Sequence, residues 1–230
     1  LGDLANETLL GNSATGRLAR DNANPPVDIG TGTAFTTGAN ILLRGTIFND
    51  FLIVCSRARD LPQTVNSSAA VADLGGTPAR GLDVKAFGRR VFMFSPIYSG
   101  TTYRHLVSYT SSDDNQAAWT TPVTVNFLSF GRIGVKYNVL GGEIFQDHLM
   151  AFCEDSVFPI YQTPSADVPF AFQSDVLNEE GGGPASIHSV VPGDRKLFWI
   201  SRNFDVKMMT RDKEVHSIGW PVQPFLRGLS

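Results

Sequence analysis

Four stretches of the chain share one hydrophobic–polar layout. TIFNDFLIVCS (46–56), KAFGRRVFMFS (85–95), EIFQDHLMAFCE (143–154) and VVPGDRKLFWIS (190–201) each set an apolar residue or two before a turn pair. An apolar strand ending in Ser or Cys follows the pair. The pairs read as Asn49-Asp50, Gly88-Arg89, Gln146-Asp147 and Gly193-Asp194. They suit tight hairpins, because Asn, Gly and Asp tolerate positive φ. Counted from Phe48 to Phe87, Phe145 and Pro192, the intervals are 39, 58 and 47 residues. A period of roughly 40–50 residues with several strands per unit predicts a β-propeller. Small sheets of that kind stack face to face, so their inner strands are covered on both sides and lose strict alternation. FLIVC, VFMF, LMAF and KLFWI fit that expectation, while RHLVSYT (104–110), RIGVKYNVL (132–140) and VKMMT (206–210) read as better alternating, more polar strands. The fold expected is all-β: a β-propeller of about four or five blades, complete or partial. A β-sandwich with hairpins of similar length is the alternative.

Residues 1–38 differ in composition. GNSATGRLARDNANPPVDIGTGTAFTTG is polar, rich in Gly, Thr and Asn, and holds Pro25-Pro26, so it reads as a loop-rich lead-in or a partial first blade. The blades are placed over 39–225. PQTVNSSAAVADLGGTPARG (62–81) and NEEGGGPAS (178–186) read as long, flexible inter-strand loops.

Charge and composition narrow the function classes. Lys+Arg number 19 and Asp+Glu 22, a net charge of −3, which leaves no basic excess for a broad duplex-DNA face. No apolar run approaches the 18 residues of a membrane span, so no membrane insertion by this chain is expected. The opening LGDLANETLL lacks a basic-then-apolar leader; the expectation is a processed, truncated or partial chain. Cys55 and Cys153 sit inside apolar runs and are expected as buried free thiols; whether they pair is left open.

Candidate chemistry is sparse. SSDDNQAAW (111–119) resembles the Asp-box of sialidases through Ser111, Asp113 and Asn115, with Trp119 one place late, and is expected as a solvated turn. A glycosidase reading would draw on Asp50, Asp147 and Asp194, which share one turn position with Arg89 in the remaining unit and form a loose ring. Hairpin turn chemistry is the role expected of these residues, because Asp is a good turn residue. His105, His148, His188 and His216 are scattered without metal-ligand spacing. GNSATG (11–16) misses a nucleophile elbow by one residue. ADLGGTPARG and EEGGGP lack the Lys-Ser/Thr of a phosphate loop. Tyr98, Tyr103, Trp119, Phe158, Tyr161, Phe170 and Trp220 lie near loops or strand ends and are candidate interface anchors. No catalytic, metal or cofactor site is assigned, and no enzyme activity is expected.

Several segments carry a family resemblance. LDVKAFGRRVFMFSP followed by YRHLVSYTSSDDNQAAWTTP, then GRIGVKYNVLGGEIFQDHLMAFCEDSVFPIYQ, FAFQSDVLNEEGGGPASIHSVVPGDRKLFWIS and VHSIGWPVQPF, resemble successive units of tail proteins of tailed bacteriophages. The similarity covers about residues 30–225 and points to the stabilisation and nozzle proteins of short-tailed phages. It implies a virion component at the head–tail junction or tail nozzle, assembled in the host cytoplasm as a homo-oligomeric ring. Portal, adaptor or other tail proteins would be its partners, and DNA would pass only as transient cargo. A mildly acidic wall suits such passage. The alternative expectation is a carbohydrate-binding or glycosidase-like propeller module.

Overall fold

The computed structural model describes residues 43–56, 60–66, 71–119, 125–132, 135–219 and 221–228, with the backbone of three earlier strands. Those strands, β1 (Leu9–Asn12), β2 (Arg17–Arg20) and β3 (Val27–Asp28), form an antiparallel meander within the lead-in stretch. Four larger antiparallel sheets follow in chain order. Sheet I joins β4 (Arg44–Phe48), β5 (Phe51–Cys55), β6 (Gln63–Val65) and β7 (Val71–Asp73). Sheet II starts with β8 (Asp83–Phe87) and β9 (Arg90–Phe94). After the small hairpin β10 (Ile97–Tyr98) and β11 (Thr101–Thr102), it is completed by β12 (Leu106–Tyr109) and β13 (Phe127–Ser129).

A second small hairpin, β14 (Gly131–Arg132) and β15 (Val135–Lys136), precedes sheet III. Sheet III holds β16 (Val139–Phe145), β17 (His148–Cys153), β18 (Ser156–Gln162) and β19 (Phe170–Phe172), with β20 (Leu177–Asn178) also paired to β18. Sheet IV runs β21 (Val191–Gly193), β22 (Lys196–Ile200), β23 (Val206–Met209) and β24 (Val215–Ser217). A single-turn helix α1 (Gln223–Arg227) follows. The stretch RIGVKYNVL is therefore not one strand: it is divided among β14, β15 and the start of β16.

Chain contacts divide the molecule into two units, Leu1–Tyr103 with Ser108–Phe127, and Arg104–Val107 with Leu128–Ser230. In the first unit, Phe48, Ile53, Cys55 and Leu74 from sheet I pack with Val84, Val91 and Met93 of sheet II and with Trp119. In the second, Phe145, Met150, Phe152 and Val157 of sheet III pack on Leu197, Trp199 and Met209 of sheet IV. Each unit thus repeats one device, a small sheet laying its apolar face on the next, which removes apolar area from water that a lone sheet leaves wet.

The tip of each first hairpin explains its own geometry. Phe48 pairs with Phe51, Phe87 with Arg90 and Phe145 with His148, so three of the expected turn pairs stand at the tips. Gly88 and Arg89 both take positive φ, as a type I′ turn requires, whereas only the first residue does in the Asn49 and Gln146 turns. The fourth hairpin differs from expectation by one residue. Gly193 pairs with Lys196, so Asp194-Arg195 is the tip, with Arg195 at φ 54°. The Phe198 ring lies 3.0 Å from where a Gly193 side chain would begin, so that glycine serves cross-strand packing rather than the turn.

Burial follows the second strands in three sheets. β9 and β17 are buried almost throughout, and β5 at its last three residues, because both faces are covered. β22 departs from the expectation: it alternates strictly, with Leu197 and Trp199 buried and Lys196 and Ile200 exposed. β12 departs in the other direction. LVSY is buried along its whole length, Ser108 included, although its sequence reads as an alternating, more polar strand.

Candidate functional site

The hairpin tips meet a second set of loops. In the first unit, Asn49 Nδ2 donates to the Asp114 carbonyl at 3.2 Å. In the second, Gln146 Nε2 donates to the Arg211 carbonyl at 3.2 Å, and both bonds span 65 residues. Asn49 and Gln146 occupy the same position, first in the turn that opens sheets I and III. Asp114 and Arg211 likewise lie in the loop between the third and fourth strands of sheets II and IV. The two bonds are equivalent fasteners between consecutive sheets.

In the first unit the charges at this end neutralise one another. Arg89 pairs with Asp114, its Nε at 2.9 Å, and Arg90 Nε reaches Asp113 at 2.8 Å. The hydrogen bond from Arg89 holds the Asp114 carboxyl below its ordinary 3.8. The same bond pushes the Arg89 guanidinium further up. The pair therefore stabilises the fold above the ordinary carboxyl value, and that contribution is lost as pH falls through the lowered one. Both groups are exposed, so the effect on stability is small. We expect R89M to return the Asp114 titration midpoint towards 3.8, read by carboxyl-carbon NMR; an unmoved midpoint would contradict the assignment.

The Asp-box-like loop is fastened from within. Ser111 Oγ donates to the Ala118 carbonyl at 3.0 Å, Asn115 Oδ1 accepts from the Ala117 amide at 3.0 Å, and Trp119 Nε1 donates to the Gln116 carbonyl at 2.7 Å. Asp113 points instead to the arginine of β9.

The second unit reverses a charge. Gln146, Asp147, Arg195 and Arg211 line a cleft of about 390 Å³. Arg195 stands at the tip that corresponds to Gly88-Arg89, and Arg211 replaces Asp114 at the fastened carbonyl. Among the described residues neither guanidinium has a hydrogen bond or ion pair. Asp147 is engaged: its carboxylate meets His148 Nδ1 at 2.6 Å, and that bond holds it below its ordinary value. Lys213 Nζ stands 2.8 Å from His148 Nε2. An ammonium only donates, so Nε2 accepts and Nδ1 carries the proton given to Asp147. The chain Lys213–His148–Asp147 thereby fixes the carboxylate at the cleft wall.

The other expected positions are used structurally. Asp50 lies at the sheet I tip and Asp194 at the sheet IV tip; the cleft gathers Asp147 with Arg195, not with Asp194. Among the described residues no three His, Cys, Asp or Glu side chains gather as metal ligands. His216 stands 3.6 Å from Glu214, and His188 lies on the 3-10 turn Ile187–Ser189. His105 accepts the Phe130 amide through its carbonyl. Cys55 and Cys153 are free and buried, and burial, with Glu154, Asp155 and Asp175 nearby, pushes the Cys153 thiol up. GNSATG falls in part outside the described residues, as Trp220 does.

Three candidate interface aromatics prove to be core: Trp119 and Phe158 are 4% exposed and Phe170 is 1% exposed. Phe158 packs within an aromatic group with Phe130 and Phe172, ring centres 5.2 and 5.7 Å away. Tyr98, Tyr103 and Tyr161 are half-buried. The stretch 62–81 is not one loop, since it supplies β6 and β7 of sheet I, and the glycines of both stretches sit in packed connectors. A Cβ on Gly76 would fall 2.0 Å from the Ala117 carbonyl oxygen, and one on Gly183 1.9 Å from that of Cys153. A second cleft, lined by Asp155, Glu180, Gly181, Arg202 and Asn203, is internally satisfied. Gly181 N–H donates to Asp155 at 2.8 Å, Asn203 Nδ2 to the Glu180 carbonyl at 2.6 Å, and Arg202 pairs with Glu154.

Sequence reading passed over Arg195 and Arg211. The signal lay in GDRK, which puts Arg at the tip once Gly193 is counted as strand.

No protein-family model and no curated protein matches the chain. Solved structures do. The extracellular domain of the putative hybrid two-component system BT4673 from B. thetaiotaomicron is 11% identical, with a TM-score of 0.56 over 92% of this chain and 26% of that one. Dihydro-heme d1 dehydrogenase NirN in complex with DHE is 10% identical, with a TM-score of 0.57 over 93% of this chain and 44% of that one. The chain thus spans less than half the length of either. At such identity the likeness shows the fold alone, and that fold is all-β, of β-propeller type, rather than a sandwich.

Proposed function

We propose that this chain is a non-catalytic structural component of a tailed-phage virion, a subunit of a homo-oligomeric ring at the head–tail junction or nozzle. The carrying observation is the outward face of sheet IV. Trp199 and Leu197 point into the sheet III seam, so their neighbours on β22 point the other way. Across the register, Phe198 pairs with Val191 and Met208, and Ile200 with Val206. These five apolar side chains share one face; Val191 is 55% and Ile200 36% exposed, and the other three are half-buried.

Within each unit a face of this kind is what one sheet presents to the next, and in this reading a second copy covers it. The sequence segments that resemble phage tail proteins support the virion assignment, and the fastened loops support a stiff building block. The alternative, a carbohydrate-binding module, has one observation in its favour: the arginine-lined cleft.

Mass measurement of the native protein tests the reading. A ring-sized homo-oligomer or a portal-bound complex is expected, and M208K or I200K should shift it to smaller species without unfolding it. A protein that stays monomeric at every concentration, and does not join a portal, overturns it.

A further inference from the structure

We propose that the cleft between the sheet III and sheet IV tips binds an acidic sugar, with Arg195 and Arg211 holding its carboxylate and Asp147 accepting its hydroxyls. The two units provide the argument, because they build the same place with opposite charge at the fastened loop carbonyl. Where Asp114 answers Arg89 in the first unit, the second sets Arg211 at the equivalent carbonyl, and Arg195 is left without an acid. Two guanidinium groups on one cleft repel each other unless an anion joins them, and the guanidinium fork matches a carboxylate in two-point contact. Both arginines are presented from fixed backbone: Arg195 from a two-residue hairpin tip, and Arg211 from a loop held by Gln146. Fixed donors lose less entropy on binding than donors on a loose loop.

Asp147 selects the kind of anion. Its carboxylate is held ionised by His148, itself set by Lys213, and stands on the same cleft wall. A fixed negative charge disfavours a dianion such as phosphate and suits a monoanion that carries hydroxyl donors. A sugar carboxylic acid is such a ligand, and a cleft of about 390 Å³ holds one or two rings. This inference does not depend on the virion role, since a ring subunit and a free module can both carry the site.

The test is NMR titration of the intact protein with glucuronate, glucose and inorganic phosphate. Glucuronate is expected to shift amides of residues 146–148, 194–196 and 210–213, more weakly as salt rises. R195M or R211M should weaken it about tenfold or more. R89M, which alters only the equivalent place in the first unit, should not change it. Glucose is expected to shift nothing. D147N should raise phosphate binding relative to glucuronate. Absence of glucuronate shifts at about 50 mM, a level set by weak-site affinities of millimolar order, overturns the site. So does binding that R195M and R211M leave intact. Phosphate binding as well as glucuronate, and unmoved by D147N, overturns the sugar assignment. The native mass of R195M reports on assembly separately.

Discussion

Replacing Gly183 by alanine is expected to cost about 3 kcal/mol of stability or more, although only one methyl group is added. That carbon would stand 1.9 Å from the Cys153 carbonyl oxygen and 2.5 Å from that of Glu154. Both are backbone atoms, so no side chain can swing aside. Nor can Gly183 retreat alone, since its amide donates to the Glu154 carbonyl at 3.0 Å and its carbonyl accepts the Arg202 amide at 3.0 Å. Relief would require β17, the most buried strand of sheet III, to move against the connector that leads to sheet IV. Gly100 is the control: its φ of 79° is unfavourable to alanine, but its side-chain space is open. G100A should therefore show only the backbone penalty of about 1–2 kcal/mol. Denaturant midpoints of the two variants decide the matter. If G183A falls no lower than G100A, the close approach is not what holds the connector.

The same glycines show what a sequence conveys and what it leaves out. Hairpin tips are legible because they rest on local rules: Asn49 and Gly88 tolerate the positive φ they take, and apolar runs flank the turn pairs, including Gln146-Asp147, where Gln146 takes the positive φ against that preference. Gly183 and Gly76 look like flexible linker in GGG and GG, because the carbonyls they press against lie far along the chain or in another loop. The fourth tip was misread for a related reason. Gly193-Asp194 is a good turn by propensity, yet the Phe198 ring claims the glycine for packing and moves the tip onto Arg195. Trp119, Phe158 and Phe170 read as candidate interface anchors by their nearness to loops, whereas neighbouring rings and strands bury them. The arginine cleft was invisible for the strongest reason. A guanidinium without a partner is a property of the whole neighbourhood, and it emerges only when Arg211 is set beside its counterpart Asp114.

Trp199→Ala is expected to cost about 3–5 kcal/mol, the range for emptying a buried aromatic site. Trp199 is 1% exposed at the seam of sheets III and IV, with its ring edge-on to Phe152 at 5.5 Å. Its Nε1 donates to the Gly182 carbonyl at 2.9 Å, so one side chain packs the seam and fastens the connector. Trp199→Phe separates those roles. It keeps most of the apolar area but leaves a buried carbonyl without its donor, a loss of about 1–3 kcal/mol. A cycle with Phe152→Leu should show coupling of about 0.5–1.5 kcal/mol, since the edge-on contact needs both rings. The seam also sets the outward face of sheet IV, because Leu197 and Trp199 fix which way Phe198 and Ile200 point. Loosening it should therefore weaken assembly before the first unit is disturbed. Hydrogen exchange across β22 and β23 in Trp199→Ala should accelerate while β5 and β9 keep their protection. Uniform acceleration across all four strands would mean that sheet IV does not open on its own, and that its outer face is held by more than this seam.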